Sequence, residues 1–296
     1  MEIIVARDCG LCYGVRRALT MARRTRRAMS GEVASLGDLI HNPRVVDDLK
    51  AEGIGSAEAP EDIRGGTVII RSHGVSPEIY RRLRRRKIDV VDATCPIVKK
   101  IQQLVEALAR EGREVVIVGN REHPETRGLL GHSRGRGVVV EDEAQARELP
   151  TRKARAVLAQ STHDLEAFQK VAAALIERTR ELRVYNTICD STRARQRSTS
   201  ELAARVDTLF IVGGKRSSNT TKLYEISKRV LPRTHFIENA AEITPAMLRG
   251  AETIGISGGA STPPEAIQEA VDAIERSFEQ NSQREKRRHD RPNQTA

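Results

Sequence analysis

The sequence predicts an α/β fold built from three similar α/β domains with mainly parallel sheets. Short apolar runs of strand type alternate with longer helix-type stretches at strand–helix spacing. Three times a short strand leads through a few residues to a cysteine and then to a helix, at Cys12, Cys95 and Cys189. Between these units, strands repeatedly break into a polar, glycine-rich loop ahead of a helix.

The first strand, residues 3–6, is the run Ile3-Ile4-Val5-Ala6, and beyond Cys12 apolar residues at helical spacing predict a helix over 15–29. A strand at 67–71 breaks at Ser72-His73-Gly74, and a strand at 89–91 leads to Cys95 and a helix over 97–109. Strands follow at 114–118, 137–140 and 156–159, the first broken at Gly119 and His123-Pro124-Glu125, the last at Gln160-Ser161. A helix over 165–179 and a strand at 183–185 lead to Cys189 and a helix over 199–205. The strand at 208–212 breaks at Gly213-Gly214 before a helix over 222–230, and the strand at 253–256 breaks at Gly258-Gly259-Ala260-Ser261 before a helix over 264–278. Residues 280–296 are polar, charged and aperiodic, the pattern of a disordered tail. Ligands of open α/β sheets collect beyond the carboxyl ends of strands. The cysteines and most of the unusual polar residues fall at those ends, so three domains about a shared centre would aim their loops at one place.

The chain has 296 residues, enough for two or three domains, and with no Trp, four Tyr and four Phe its core rests on Val, Ile, Leu and Ala. No apolar run reaches the ~18 residues of a membrane span. The start lacks a basic region followed by a long apolar one, so a cytoplasmic location is expected. The net charge of +10 invites a nucleic-acid reading. Its basic clusters at 23–27, 81–87 and 284–288 lack an aromatic platform or a known motif, and they read as solvated faces. A modest positive field also attracts an anionic small molecule.

Four cysteines are too few for a disulfide framework in a chain of this size, and they suggest metal ligation, redox work or packing. Three on separate loops suit a 4Fe–4S cluster, whose closed form uses four thiolates; the iron left without a protein ligand is a Lewis acid. Each stands at a helix start, where the dipole favours thiolate. Cys9 and Cys12 form Cys-x-x-Cys, and spacing leaves both open as the first ligand. His41, His73 and His123 sit on strand-end loops and suit phosphate oxygens. Gly213 to Thr221, with Ser217, Ser218 and Asn219, has the composition of a phosphate cradle without the ending of a Walker loop, and Gly258 to Pro263 with Ser261 is a smaller one. Glu125 is the best placed carboxylate for proton delivery, and an ordinary acid at a helix start is the plainer reading.

The sequence resembles the 4-hydroxy-3-methylbut-2-enyl diphosphate reductase family, which acts last in the non-mevalonate isoprenoid pathway. The resemblance rests on Gly10-Leu11-Cys12-Tyr13-Gly14-Val15, Ile40-His41-Asn42-Pro43, Ser72-His73-Gly74-Val75, Asp92-Ala93-Thr94-Cys95-Pro96, His123-Pro124-Glu125, Gln160-Ser161-Thr162, Ile188-Cys189, Ser217-Ser218-Asn219 and Gly259-Ala260-Ser261-Thr262-Pro263, in family order. It implies one 4Fe–4S cluster on Cys12, Cys95 and Cys189, with Cys9 outside the pattern. It implies diphosphate binding by His41, His73, His123, Ser217, Ser218, Asn219 and Ser261, with Glu125 as proton donor. Ser161 stands where the family usually has Thr and keeps the hydroxyl of a substrate contact. The implied reaction is reductive dehydroxylation to isopentenyl and dimethylallyl diphosphates, with a ferredoxin or flavodoxin as electron donor. The implied fold is pseudo-threefold about the cluster, with domains at 13–95, 96–189, and 190–279 joined by 1–12. Quinolinate synthase and the diphthamide enzymes share the three-cysteine design but lack the His-Pro-Glu and Ser-Ser-Asn motifs. A nucleic-acid-binding paralogue is the other alternative.

Overall fold

A computed structural model describes residues 1–289, with side chains for 1–279. The chain opens with β1 (Glu2–Val5), α1 (Tyr13–Ala28), β2 (Val33–Leu36), α2 (Pro43–Ala51), β3 (Ile54–Ala57), β4 (Thr67–Ile70), α3 (Pro77–Arg85) and β5 (Asp89–Asp92). It continues with α4 (Pro96–Arg110), β6 (Glu114–Val118), α5 (Pro124–His132), β7 (Gly137–Val140), α6 (Glu143–Glu148), β8 (Arg152–Ala159), α7 (Leu165–Ile176) and β9 (Thr179–Tyr185). The last part holds α8 (Asp190–Ala203), β10 (Thr208–Val212), α9 (Ser218–Val230), β11 (Thr234–Ile237), α10 (Pro245–Leu248), β12 (Thr253–Gly258) and α11 (Pro264–His289).

The strands form three four-stranded sheets, ordered β3-β2-β4-β5, β7-β6-β8-β9 and β11-β10-β12-β1, and every pairing is parallel. The order is the same each time, second-first-third-fourth, with β1 filling the fourth place of the last sheet. By contacts the chain forms two compact units. One is Leu11–Ala194, with the first two sheets; the other is Met1–Gly10 with the part from Arg195 onward.

The two central strands of each sheet are largely buried on both faces, which explains the continuous apolar runs there. In β4, Ile69 packs with Ala18 and Leu19 of α1, while Val68 and Ile70 pack on the other side with Leu83 of α3. In β6, Val116 and Val118 face one core and Val115 and Ile117 the other, and Phe210/Val212 and Leu209/Ile211 of β10 divide in the same way. Each such side chain, fully buried, contributes about 1.5–3 kcal/mol.

Several boundaries differ from the sequence expectation. Strands β2, β3 and β11 carry serine, glycine or histidine within four-residue runs and give no apolar signal. Helices α2, α3 and α5 have only nine residues each, too few for a clear period, but each begins with proline at its first helical position. The helix expected to end at 179 stops at Ile176, and Thr179 opens β9. The aperiodic stretch expected as tail from 280 is helical to His289, because its Glu, Gln, Lys and Arg residues are good helix formers even without an apolar face. The rest of that expected tail, 290–296, lies outside the described residues. Of the basic clusters, Arg23 pairs with Glu52 at 2.8 Å, Arg82 with Glu61, and Arg81 and Arg85 with Glu78. The cluster at 284–288 has no described side chains. Among the described residues no helix is long and apolar enough to cross a membrane.

Candidate active site

The shared strand order puts the predicted residues at equivalent places. In each sheet the order reverses between the first and third strands, the switch point where ligands of open α/β sheets bind. In the first sheet the loops there, after β2 and β4, carry His41 and His73. In the second, the loop after β6 leads to His123 and Glu125 and the loop after β8 carries Ser161. In the third, the loop after β10 leads to Ser217, Ser218 and Asn219 and the loop after β12 carries Ser261. The cysteines Cys12, Cys95 and Cys189 follow the fourth strands, β1, β5 and β9.

Hydrogen bonds strap each pair of switch-point loops together. Ser72 Oγ donates to the Leu39 carbonyl at 3.2 Å. Gln160 Oε1 accepts from the Asn120 N–H and from Thr126 Oγ1, each at 3.2 Å, while its Nε2 donates to Thr162 Oγ1 at 2.8 Å. Thr262 Oγ1 donates to the Val212 carbonyl at 2.8 Å. Gly74 must be glycine: its φ is +70°, and a Cβ there would lie 2.2 Å from Gln102 Nε2.

The three predicted cysteines converge in the larger unit. Cys12 and Cys95 are the residues before the first turns of α1 and α4, and Cys189 immediately precedes α8. Their carbonyls accept from Arg16, Lys99 and Arg193 at 3.0, 2.9 and 3.0 Å, the same first helical bond three times. The N–H of Cys95 donates to the Ser72 carbonyl and that of Cys189 to the Ser161 carbonyl, each at 2.9 Å, so both are fixed to switch-point loops. A Cβ on Gly14 would stand 2.7 Å from Cys95 Sγ and 4.0 Å from Cys12 Sγ, so the absence of a side chain there lets the sulfurs approach. Burial pushes the Cys95 and Cys189 thiols up in pKa, partly offset by backbone amides at their helix starts, and the neighbouring thiol of Cys12 raises both further. Three soft sulfur donors that repel one another as thiolates fit an iron–sulfur group. Cys9, which spacing had left as a rival to Cys12, instead packs in the cores of the smaller unit, and burial pushes its thiol up to about 11.

His41, His73 and His123 form one cluster. His41 stacks on His73 with ring centroids 4.4 Å apart, and both lie 5.3 Å from His123. Burial pushes His123 down to about 3 and His73 well below the ordinary range; the neighbouring imidazoles come next, and the charge of Arg71 adds to both. One ring nitrogen from each lies within 4.8 Å of the others, a spacing that invites a metal ion. The hydrogen bonding of His123 favours an anion instead. His123 caps α5, and its Nδ1 accepts from the Glu125 N–H at 3.2 Å. In the neutral ring the proton therefore sits on Nε2, which is a donor and not a metal ligand. The Nδ1 of His73 is buried with no partner among the described residues. Arg71 was missed by sequence reasoning, although it directly precedes the Ser72-His73-Gly74 motif; Gln160 was quoted in a motif but given no role.

Glu125 is 2% exposed, with its carboxylate held entirely by Ser161, and burial raises its pKa. A carboxyl so placed keeps its proton to higher pH than a surface glutamate and can deliver it.

In the smaller unit Ser217 caps α9, its Oγ accepting from the Thr220 N–H at 3.4 Å, and Ser218 and Asn219 form the first turn. Asn219 is 3% exposed, yet neither its Oδ1 nor its Nδ2 has a partner among the described residues. A buried, unsatisfied amide at a helix N-terminus suits an anion. Ser261 is buried beyond β12.

The family model described as LytB protein matches residues 3–275. A protein of Geobacter metallireducens named 4-hydroxy-3-methylbut-2-enyl diphosphate reductase is 41% identical over 274 residues, 93% of this chain and 97% of the relative. One of the same name from Aquifex aeolicus is 42% identical over 278 residues, 93% of this chain and 96% of the relative. Among solved structures, one described as (E)-4-hydroxy-3-methyl-but-2-enyl diphosphate reductase, the terminal enzyme of the non-mevalonate pathway, is 41% identical with a TM-score of 0.68 over 93% of this chain and all of its own. A Plasmodium falciparum structure described as the E-1-hydroxy-2-methyl-but-2-enyl-4-diphosphate reductase has a TM-score of 0.86 at 24% identity, over 92% of this chain and 87% of its own, and shares the fold.

Proposed function

The chain belongs to the LytB protein family, and on that premise we propose that it is a cytoplasmic 4-hydroxy-3-methylbut-2-enyl diphosphate reductase holding one 4Fe–4S cluster on Cys12, Cys95 and Cys189. The proposed domains are 13–95, 96–189, and 190–279 with 1–12. The reaction takes two electrons and two protons, breaks the allylic carbon–oxygen bond, releases water and gives isopentenyl and dimethylallyl diphosphates. When bound, the cluster would supply single electrons and a Lewis-acidic iron.

The observation that carries this reading is the double role of Ser161. Its carbonyl accepts from the N–H of Cys189, and its hydroxyl and N–H hold Glu125. A proton source is thereby fixed to the same residue as a cluster ligand. Glu125 gives the proton that lets water leave, and Ser161 keeps it aimed. His41, His73 and His123 donate to the diphosphate with Arg71 adding positive charge, and Ser217, Ser218, Asn219 and Ser261 complete the anion's shell. Binding energy from the diphosphate is spent on orienting the reacting end. The His123-Pro124-Glu125 and Ser217-Ser218-Asn219 motifs, rather than three cysteines alone, favour this reaction over that of quinolinate synthase.

The test is anaerobic reconstitution followed by turnover of the diphosphate substrate with a chemical reductant. The wild type is expected to turn over, and Glu125→Gln to retain iron and substrate binding with turnover reduced by about a hundredfold or more, the range of a lost general acid. A reconstituted wild type without turnover would overturn the reading.

A further inference from the structure

The proposed reaction needs two electrons, and no Gly-x-Gly-x-x-Gly fingerprint for a bound dinucleotide occurs in the sequence. A separate one-electron carrier suits that need. Resting on the reductase reading, we propose that an acidic one-electron carrier protein docks on the groove between the starts of α1 and α4, beside Cys95.

The groove, about 220 Å³, is lined by Arg17, Asp92, Thr94, Pro96, Lys99 and Lys100 among others. Arg17 reaches across from α1, its Nη1 donating to the Thr94 carbonyl at 3.1 Å. Asp92 is neutralised by its ion pair with Lys99. Lys100 is exposed and makes no ion pair among the described residues, nor does the exposed Arg16. The surplus charge is therefore positive and available to a partner.

Apolar residues are exposed in the same region. Tyr13, next to Cys12, is 65% exposed, and Ile97, two residues after Cys95, is 38% exposed. On their helices Tyr13 neighbours Arg16 and Arg17, and Ile97 neighbours Lys100, at three- and four-residue spacing. Exposed apolar side chains interspersed with cations that make no ion pair suit a weak, electrostatically steered encounter with a partner bearing carboxylates around its own redox group. Location adds the functional argument: Thr94 and Pro96 are the two chain neighbours of Cys95, so a carrier seated here is one peptide unit from a cluster ligand. Each encounter passes one electron from the reduced carrier, which leaves oxidised, and two encounters serve one turnover.

The test compares Arg16→Glu/Lys100→Glu with the wild type and with Arg229→Glu, an exposed charge reversal on α9. Reconstituted protein is assayed with reduced methyl viologen and, separately, with a reduced acidic 2Fe–2S ferredoxin. The double variant is expected to keep viologen-supported turnover and lose about tenfold or more in ferredoxin-supported kcat/KM, while Arg229→Glu changes neither. Independently of the cluster, calorimetric titration of the cluster-free chain with oxidised ferredoxin should show binding at low salt that high salt and the double reversal both abolish. Unchanged ferredoxin binding and turnover in the double variant would overturn the proposal, as would equal losses with both reductants or an equal loss in Arg229→Glu. Failure of the wild type with viologen would instead remove the reductase reading, and the cluster-free titration would still decide whether the groove binds the carrier.

Discussion

Ser161 holds both oxygens of Glu125: its N–H donates to Oε1 at 2.6 Å and its hydroxyl to Oε2 at 2.7 Å. The hydroxyl bond is the one a side-chain change removes. Ser161→Ala is expected to lower kcat by about ten- to a hundredfold, the effect of losing a hydrogen bond to a charged group. Ser161→Thr keeps the hydroxyl and is expected to stay near wild type. Steady-state kinetics with a chemical reductant check both; an alanine variant as fast as the wild type would dismiss the aiming role of Ser161.

The pH dependence follows from two opposite shifts. Burial raises the pKa of Glu125, so the proton donor stays loaded above the ordinary glutamate range, and turnover falls as pH rises through the raised value. The same shift contributes stability that is full below the unfolded pKa and is lost as pH climbs to the folded one. His123 is pushed down to about 3 from its ordinary 6.5, so its contribution is full above 6.5 and is lost as pH falls toward 3. Substrate-free protein should lose stability on acidification below that ordinary value, by up to about 1.4 kcal/mol per pH unit for each such histidine. Urea unfolding across this range measures the slope, and His123→Asn should flatten it.

Those buried neutral histidines also predict proton uptake. A bound diphosphate places negative charge against His73 and His123 and raises their affinity for protons. Titration of the protein with inorganic pyrophosphate in buffers of different ionisation enthalpy should show net proton gain. Binding with no proton uptake would contradict the placement of the anion on this cluster.

Asn219 should trade stability for binding. Its buried amide lacks partners among the described residues, and leaving such a group unsatisfied costs about 1–3 kcal/mol. Asn219→Ala is expected to raise the melting temperature of the substrate-free protein while weakening pyrophosphate binding. Loss of stability in that variant would mean the amide is satisfied in solution.

Gly14→Ala tests the thiol site. The new methyl would meet Cys95 Sγ at 2.7 Å, so iron content after reconstitution should fall while far-ultraviolet circular dichroism stays unchanged. Full iron loading in this variant would show that the sulfurs do not need this close approach.

Much of the site was legible because its chemistry is carried by residue types that stand out at strand ends: three cysteines, three loop histidines, and Glu125 just after a His-Pro pair. What remained hidden depended on partners far away in sequence. Arg71 looked like the end of a strand, and only the fold sets its charge beside His73 and His123. Gln160 acts through Asn120 and Thr126, some forty residues earlier in the chain. Spacing left Cys9 and Cys12 both open; the family motif points to Cys12, and the packing of Cys9 in the cores of the smaller unit is a contact that no spacing encodes. Among the elements, β2 was lost because burial of Ser35 is satisfied by a bond to the Gly37 carbonyl at 2.8 Å rather than by apolar character. The prolines opening α2, α3 and α5 were the unused signal for those helices.

The pairing of β1 with β12 has a consequence for how the chain is made. During synthesis Glu2–Val5 leaves the ribosome well before its partner strand Thr253–Gly258. That strand therefore waits until β12 has been made, and the third sheet cannot close before then. Joining distant ends in this way is slow and exposes an unpaired strand meanwhile. A nascent chain that stops before β12 thus already holds Cys12, Cys95 and Cys189 but lacks the partner that anchors β1.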